Sequence, residues 1–145
     1  MKPALLSKSE LEMAKDYIQK PGNYSFLKWN EEVLVIPISI YESFLQLQAG
    51  LYIKKAGVKM GTIIRNELVP DHELVLSSIA CGKFTEVGVD KETALDFLRR
   101  KDIKINTDAR GWAIINHGQV NLGLVKILTN RINNYYPREW RILNK

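Results

Sequence analysis

Cysteine is almost absent from this sequence, and its scarcity excludes several classes of protein. Cys81 is the only one, so the chain can build neither an internal disulfide framework nor a metal site made of several thiolates. A chain of this kind is expected in a reducing cytoplasm. The stretch "SSIACGKF" places apolar neighbours before Cys81, which predicts a small, inert core residue.

Long apolar runs are also missing. No stretch approaches the roughly 20 residues that a membrane-spanning helix needs. The polar start, "MKPALLSKSELEMAKDY", is not typical of a signal peptide. We therefore expect no membrane partner.

The motifs that carry catalysis or hold cofactors are absent as well. The glycines of "KAGVKMG" separate two strand-like segments, with no following helix to supply amide donors to a nucleotide phosphate. His72 and His117 lack the spacing of metal ligands, and Ser77 and Ser78 lack a nucleophile elbow. The sequence predicts no metal, no cofactor and no catalytic residue, and hence a chain that is not itself an enzyme.

Charge is distributed unevenly along the chain. Residues 1–108 contain 15 Lys/Arg and 15 Asp/Glu, whereas residues 109–145 contain six and one. Such an asymmetry indicates either a basic face for phosphate groups or a solvated tail. Aromatic residues interleave these cations, which favours the first interpretation and a polyanionic partner.

The first half of the chain reads as short helices and strands. Ser7 and Glu10 have the spacing of a capping box, which predicts a helix over about 8–18. "YSFLKW" and "EEVLVIP" read as two strands around the turn-prone Asn30, and "IYESFLQLQ" as a short helix. In "GLYIKKAGVKMGTII" we predict two strands separated by a tight turn or bulge at Gly57.

The second half continues the same mixture. Short helices are predicted in "VPDHELVLSSIA" and, after an Asp90 cap, in "VDKETALDFLRRKDI". "GWAIINHGQVNLGLVKIL" predicts a strand, a turn at 116–118 and a second strand. About six strands and three or four short helices in mixed order indicate one α+β domain over 1–145, with a small curled sheet or pseudo-barrel and short flanking helices.

The closing stretch, "NLGLVKILTNRINNYYPREWRIL", has the composition of an RNA-binding surface. Cations can reach phosphates, amides can contact phosphate, ribose or base edges, and flat rings can stack on unpaired bases. The candidates are Lys126, Arg131, Arg138 and Arg141; Asn133 and Asn134; and Tyr135, Tyr136 and Trp140. Alternatively, Tyr136, Trp140 and Ile142 fill the core while the cations are merely solvated, and both interpretations can hold on opposite strand faces. Neighbours in an extended segment point to opposite sides, so we predict Tyr135 outward and Tyr136 in the core.

At these residues the chain resembles a known family. Its closing segment is similar to a pattern like LGxxKxxxxxxKNxYPKGLR, which ends the C-terminal PUA-like domain of the RsmF-type (Sun-type) ribosomal RNA 5-methylcytosine methyltransferases. The matching residues are Leu122, Gly123, Lys126, Asn134, Tyr136, Pro137, Arg138 and Arg141. Further upstream, the resemblance extends to Gly57, Gly61, Arg65, Pro70, His72 and Leu74, and to the Gly-Trp strand and hairpin that begin at residue 111.

The resemblance implies a PUA-like core over 49–145, preceded by a helix and hairpin over 1–48. It implies a module that positions structured RNA, with ribosomal RNA as the expected partner, for a methyltransferase domain in cis or in trans. Arg65 joins the RNA-binding candidates on this basis. Asn133 and Glu139 depart from the family's lysine and glycine, which puts the strength of phosphate binding in doubt. The alternative function is a protein-interaction or structural domain without RNA binding.

Overall fold

The computed structural model describes residues 2–143 and divides the chain into two compact units, of which the first ends at Cys81 and the second begins at Gly82. Each unit is built on one four-stranded sheet with short helices. The predicted α+β class is therefore confirmed. Within residues 2–143 neither sheet closes into a barrel, and none of the helices has the length and apolar character needed to cross a bilayer.

The sheet of the first unit is antiparallel throughout and has the strand order β1-β2-β3-β4. Its elements are α1 (Lys8–Lys15), β1 (Tyr24–Trp29), β2 (Glu32–Pro37), α2 (Tyr41–Gly50), β3 (Val58–Ile64), β4 (Glu67–Pro70) and α3 (His72–Leu76). The predicted capping box begins α1: Glu10 N–H donates to Ser7 Oγ at 3.3 Å, and Ser7 N–H donates to the Glu10 carboxylate at 2.8 Å. The helix ends before the predicted Ile18, because Ile18 pairs with Ala80 in an isolated β-bridge.

The prediction of two strands within 51–64 is wrong, since only β3 forms there. The hairpin turn lies after β3, at Arg65 and Asn66, whose φ angles of 51° and 62° are both left-handed. Two such residues give a type I′ turn, whose twist suits a tight hairpin. This turn and β4 are not predicted from the sequence, because arginine and asparagine are weaker turn signals than the two glycines nearby.

Those glycines have a different role, at points where two segments of backbone nearly touch. Gly57 has a φ of 61°, and a Cβ atom placed on it would lie 2.0 Å from the Val35 carbonyl oxygen. A Cβ atom on Gly61 would lie 2.3 Å from the Val69 carbonyl oxygen. The predicted turn at Gly57 is confirmed, and Gly61 marks a close crossing of two strands.

The sheet of the second unit is mixed and has the order β5-β6-β7-β8. Its elements are β5 (Thr85–Gly88), α4 (Lys91–Leu98), β6 (Gly111–His117), β7 (Val120–Ile127) and β8 (Ile132–Asn134). Helix α4 connects β5 to the parallel strand β6, and its Asp90 cap accepts from Thr93 N–H at 2.7 Å. Strands β5 and β8 were not predicted, because three or four residues are too few to show an alternating pattern.

One face of this second sheet packs into a core with α4. Phe97 is completely buried there, together with Val87, Ile103, Ala113, Ile115, Val125 and Ile127. In the first unit, by contrast, Cys81 is not the core residue that we predicted. It is half-buried, and its Sγ donates to the Asp16 carbonyl oxygen at 2.9 Å, which holds the end of that unit near α1.

Candidate nucleic-acid interface

Three strands of the second sheet bring predicted site residues together. Trp112 of β6 pairs with Lys126 of β7, and Lys126 pairs with Asn133 of β8. Directly opposed residues project from the same face of a sheet. Lys126 and Asn133 were predicted from the sequence as site residues, whereas Trp112 was not. A bulge between Ile115 and Asn116 shifts the register of β6 against β7, so counting back from the turn would not have aligned Trp112 with Lys126.

Tyr135 belongs to the same group. Its N–H donates to the Leu124 carbonyl oxygen at 3.0 Å, which extends the pairing of β8 with β7 by one residue. The Tyr135 ring meets the Trp112 ring edge to face, with centroids 4.7 Å apart and planes at 69°. Lys126 Nζ lies 5.1 Å from the centroid of the Trp112 ring, a cation–π contact. We call Trp112, Lys126, Asn133 and Tyr135 the aromatic row.

The two adjacent tyrosines face opposite sides, as predicted. Tyr135 is 39% exposed. Tyr136 packs against the core of the second unit, and its ring lies 5.5 Å from that of Phe97 at an angle of 63°. The Arg100 guanidinium also donates to the Tyr136 carbonyl oxygen. Tyr136 is therefore structural, and Tyr135 offers its ring to solvent.

The segment after β8 is attached to the C-terminal end of α4. Asn134 Nδ2 donates to the Phe97 carbonyl oxygen at 2.9 Å, and Ile142 N–H donates to that of Leu98 at 3.0 Å. The last carbonyl groups of a helix lack partners within the helix, so these bonds satisfy them. Asn134 Oδ1 also accepts from Tyr136 N–H at 2.8 Å. Both ends of the Asn134 amide are therefore engaged within the chain.

This attachment leaves the remaining predicted tail residues on the surface. Arg138 and Trp140 lie in a 3-10 turn (Arg138–Trp140), Arg141 follows it, and all three are exposed, Trp140 by 57%. Trp140 therefore does not fill the core. Arg138 and Arg141 line a shallow depression together with Glu139. We call Arg138 and Arg141 the tail arginines.

The other two predicted cations occupy turns. Arg131 is exposed in the β7–β8 turn, where its carbonyl oxygen accepts from Leu128 N–H at 2.9 Å. Arg65 is exposed in the β3–β4 turn, so it belongs to the first unit and not to the unit that carries the closing segment.

In the part of the chain that the structure describes, no carboxylate lies within salt-bridge distance of Lys126, Arg131 or the tail arginines.

The two histidines occupy structural positions. His72 is buried at the start of α3, where desolvation lowers its pKa, and His117 ends β6. Across residues 2–143, no three His, Cys, Asp or Glu side chains come together as metal ligands would.

Comparisons with known proteins relate the second unit to one domain family. Residues 84–142 match the family model described as the methyltransferase RsmF PUA domain. The chain is 25% identical over 88 residues to a ribosomal RNA small subunit methyltransferase F of Shewanella loihica, covering 59% of this chain and 18% of that protein. It is 27% identical over 100 residues to the protein of that name from Shewanella piezotolerans, covering 68% and 20%. The chain thus spans about a fifth of the length of these curated relatives, and the family resemblance is confirmed.

Proposed function

We propose that the second unit is an RNA-binding module, because residues 84–142 match the family model described as the methyltransferase RsmF PUA domain. It holds structured RNA, with ribosomal RNA of the small subunit as the partner, for a methyltransferase domain in the same or another chain. The names of the relatives support this partner, since both are ribosomal RNA small subunit methyltransferases. We further propose that the protein works in the cytoplasm.

The aromatic row is the observation that carries this proposal. The exposed Tyr135 ring can stack on an unpaired base, and stacking of this kind tolerates any base. Lys126 is held over the Trp112 ring by a cation–π contact and not by a carboxylate, so its ammonium group can still meet a phosphate. The Asn133 amide, on the same face, can donate to or accept from ribose or a base edge.

Cations around the row supply attraction that does not depend on RNA sequence. The second unit contains 12 Lys/Arg against seven Asp/Glu. Arg131 and the tail arginines are exposed among them, and each phosphate contact made by such a residue releases counterions. We propose Trp140 as a second stacking ring of this unit, and Arg65 as a separate RNA-contacting cation on the first unit. Asn134 is left out of the proposed surface, because its amide is already engaged within the chain.

Binding of a labelled single-stranded RNA at several salt concentrations tests the proposal. Tyr135→Ala should weaken binding about 5- to 150-fold, which corresponds to the roughly 1 to 3 kcal/mol of one stacked base, without changing the salt dependence. Lys126→Gln should instead reduce the slope of log affinity against log salt by about 0.7. Tyr52→Ala is the matched control, because Tyr52 is 76% exposed but lies in the first unit.

Circular dichroism on each variant establishes that the fold is intact. Equal RNA binding by the Tyr135 and Tyr52 variants, with the fold preserved, would contradict the proposal. The protein-interaction or structural alternative would then stand.

A further inference from the structure

A cleft of about 230 Å³ opens at one end of the second sheet. It lies where the segment before β6 meets the β7–β8 turn. Its apolar part consists of Ile103, Ile105, Ile127, Leu128 and Ile132. The core residues Ile103 and Ile127 among them are 8% and 3% exposed. Its polar lining consists of Lys104, Thr107, Arg110, Thr129, Asn130 and Arg131.

The charge of this lining has one sign. Lys104, Arg110 and Arg131 contribute three cations, and no carboxylate lines the cleft. Within residues 2–143 none of the three forms a salt bridge. Like charges repel one another, so an anion in the cleft would relieve the repulsion.

The lining is also rich in hydrogen-bond donors. Lysine and arginine side chains can only donate, and threonine hydroxyl and asparagine amide groups can donate as well. Arg110 Nη1 donates to the Ala109 carbonyl oxygen at 2.8 Å, which restrains the guanidinium while leaving its other N–H groups available. Guanidinium groups match phosphate oxygens in a bidentate geometry. The lining is therefore suited to a phosphate group.

The cleft adjoins the aromatic row through the chain itself. Arg110 precedes Trp112 by two residues, and Arg131 precedes Asn133 by two. Two residues of chain span at most about 7 Å, so Arg110 and Arg131 lie at the end of the sheet next to the row, whereas the cleft residues Ile127 and Ile132 lie on the opposite, core face. A strand of RNA whose base stacks on Tyr135 would bring its own backbone phosphates to this end of the sheet.

We propose that this cleft binds a backbone phosphate of the RNA next to the base that stacks on the aromatic row. The proposal rests on the RNA-binding function above and adds Lys104, Thr107, Arg110, Thr129 and Asn130 to the surface. Free inorganic phosphate offers the same group, so the experiment has to distinguish the two sources.

The test compares two double variants of the full chain that lose equal charge. Lys104→Gln with Arg110→Gln removes two cations of the cleft that the RNA-binding surface above does not include. Lys8→Gln with Lys54→Gln removes two exposed cations that lie outside it and, within residues 2–143, likewise have no carboxylate partner. With the labelled single-stranded RNA, the cleft variant should bind roughly tenfold more weakly and lower the salt slope by about 1.4, since each lost contact lowers it by about 0.7. The control variant should change affinity less than about twofold.

The outcomes separate this proposal from the function on which it rests. If Tyr135→Ala weakens binding but the cleft and control variants bind RNA alike, the cleft proposal is wrong and the RNA-binding function stands. If the parent chain binds no RNA, both fail. A second arm titrates the parent with inorganic phosphate and follows the amide resonances of residues 129–131. If these resonances shift saturably with phosphate while the cleft variant binds RNA as tightly as the parent, the cleft binds free phosphate and the proposal is overturned.

Discussion

The two units of this chain are built alike but use their charges differently. Each has one four-stranded sheet and short helices. The first contains nine Lys/Arg and nine Asp/Glu, whereas the second contains 12 and seven. In the first unit, lysines lie 2.6 to 3.0 Å from glutamate oxygens. These pairs are Lys28 with Glu10, Lys59 with Glu32, and Lys55 with Glu73.

In the second unit Arg99 and Lys101 each lie 3.6 Å from Asp96, but several other cations face solvent. Lys104, Arg131 and the tail arginines have no carboxylate partner in the described part of the chain. The first unit instead exposes large apolar side chains around α2, namely Ile38, Ile40, Leu47, Leu51 and Tyr52. Similar scaffolds can thus present different surfaces, and function has to be argued from the surface and not from the fold. A cation already paired within the chain is less available to an external phosphate.

The largest expected effect on stability comes from comparing two glycines, one in each unit, that have the same backbone φ angle. Gly57 and Gly118 both have a φ of 61°, but an added Cβ atom would meet the Val35 carbonyl oxygen at 2.0 Å on Gly57 and nothing within 4 Å on Gly118. Gly57→Val should lower the free energy of unfolding by about 3 kcal/mol or more, from strain and crowding together. Gly118→Val should lower it by only about 1 to 2 kcal/mol. Urea denaturation measures both, and equal losses would show that crowding at Gly57 is relieved by local movement.

The contrast between these glycines also shows what the sequence could predict. Local signals were sufficient for the capping box of Ser7 and Glu10, the Asp90 cap and the β6–β7 hairpin, because each depends on residues a few positions apart. The sequence could not show which chain segment crosses Gly57, since Val35 is distant along the chain. The pairing of Trp112 with Lys126 was hidden by a bulge, and the cleft combines two separate segments. Long-range register is thus the information that the sequence alone did not contain.

Two neighbouring tyrosines of the second unit should give opposite results. Tyr136 packs against Phe97 and the core, so Tyr136→Ala should lower the free energy of unfolding by about 3 kcal/mol. Tyr135→Ala removes one edge-to-face contact with Trp112 and should lower the free energy of unfolding by about 1 kcal/mol. It should weaken RNA binding more than Tyr136→Ala does. Thermal denaturation and RNA titration on both variants measure the two effects. A larger stability loss for the Tyr135 variant would contradict the assignment of the two faces.

The tail arginines test the difference in cation availability between the units. Arg138→Gln with Arg141→Gln should change the free energy of unfolding by no more than about 0.5 kcal/mol, because both side chains are exposed. Each lost phosphate contact should reduce the slope of log affinity against log salt by about 0.7 for single-stranded RNA. Lys8→Gln with Lys54→Gln removes the same charge from exposed positions of the first unit and serves as control. Equal changes in slope for both double variants would mean that RNA responds to net charge and not to this surface.

The smallest expected effect concerns the paired charges of the first unit. A hydrogen bond from Lys28, at 2.6 Å, lowers the pKa of Glu10 from 4.5 to about 2, and the same bond raises the pKa of Lys28. Because the pKa of Glu10 is lower in the folded state, its carboxylate stabilises the fold above about pH 4.5, and this contribution is lost as the pH falls toward 2.

Glu10→Gln should therefore be less stable than the parent chain near neutral pH and approach it below about pH 4. Lys28 gives no opposing change in this range, since a raised pKa keeps it charged throughout. Urea denaturation midpoints measured from pH 2 to 7 follow the difference. Glu139→Gln removes a carboxylate that contacts no cation in the described residues of the second unit, so it controls for charge alone. A constant difference between parent and Glu10→Gln down to pH 2 would show that the capping geometry, and not the ionised pair with Lys28, accounts for the stabilisation by Glu10.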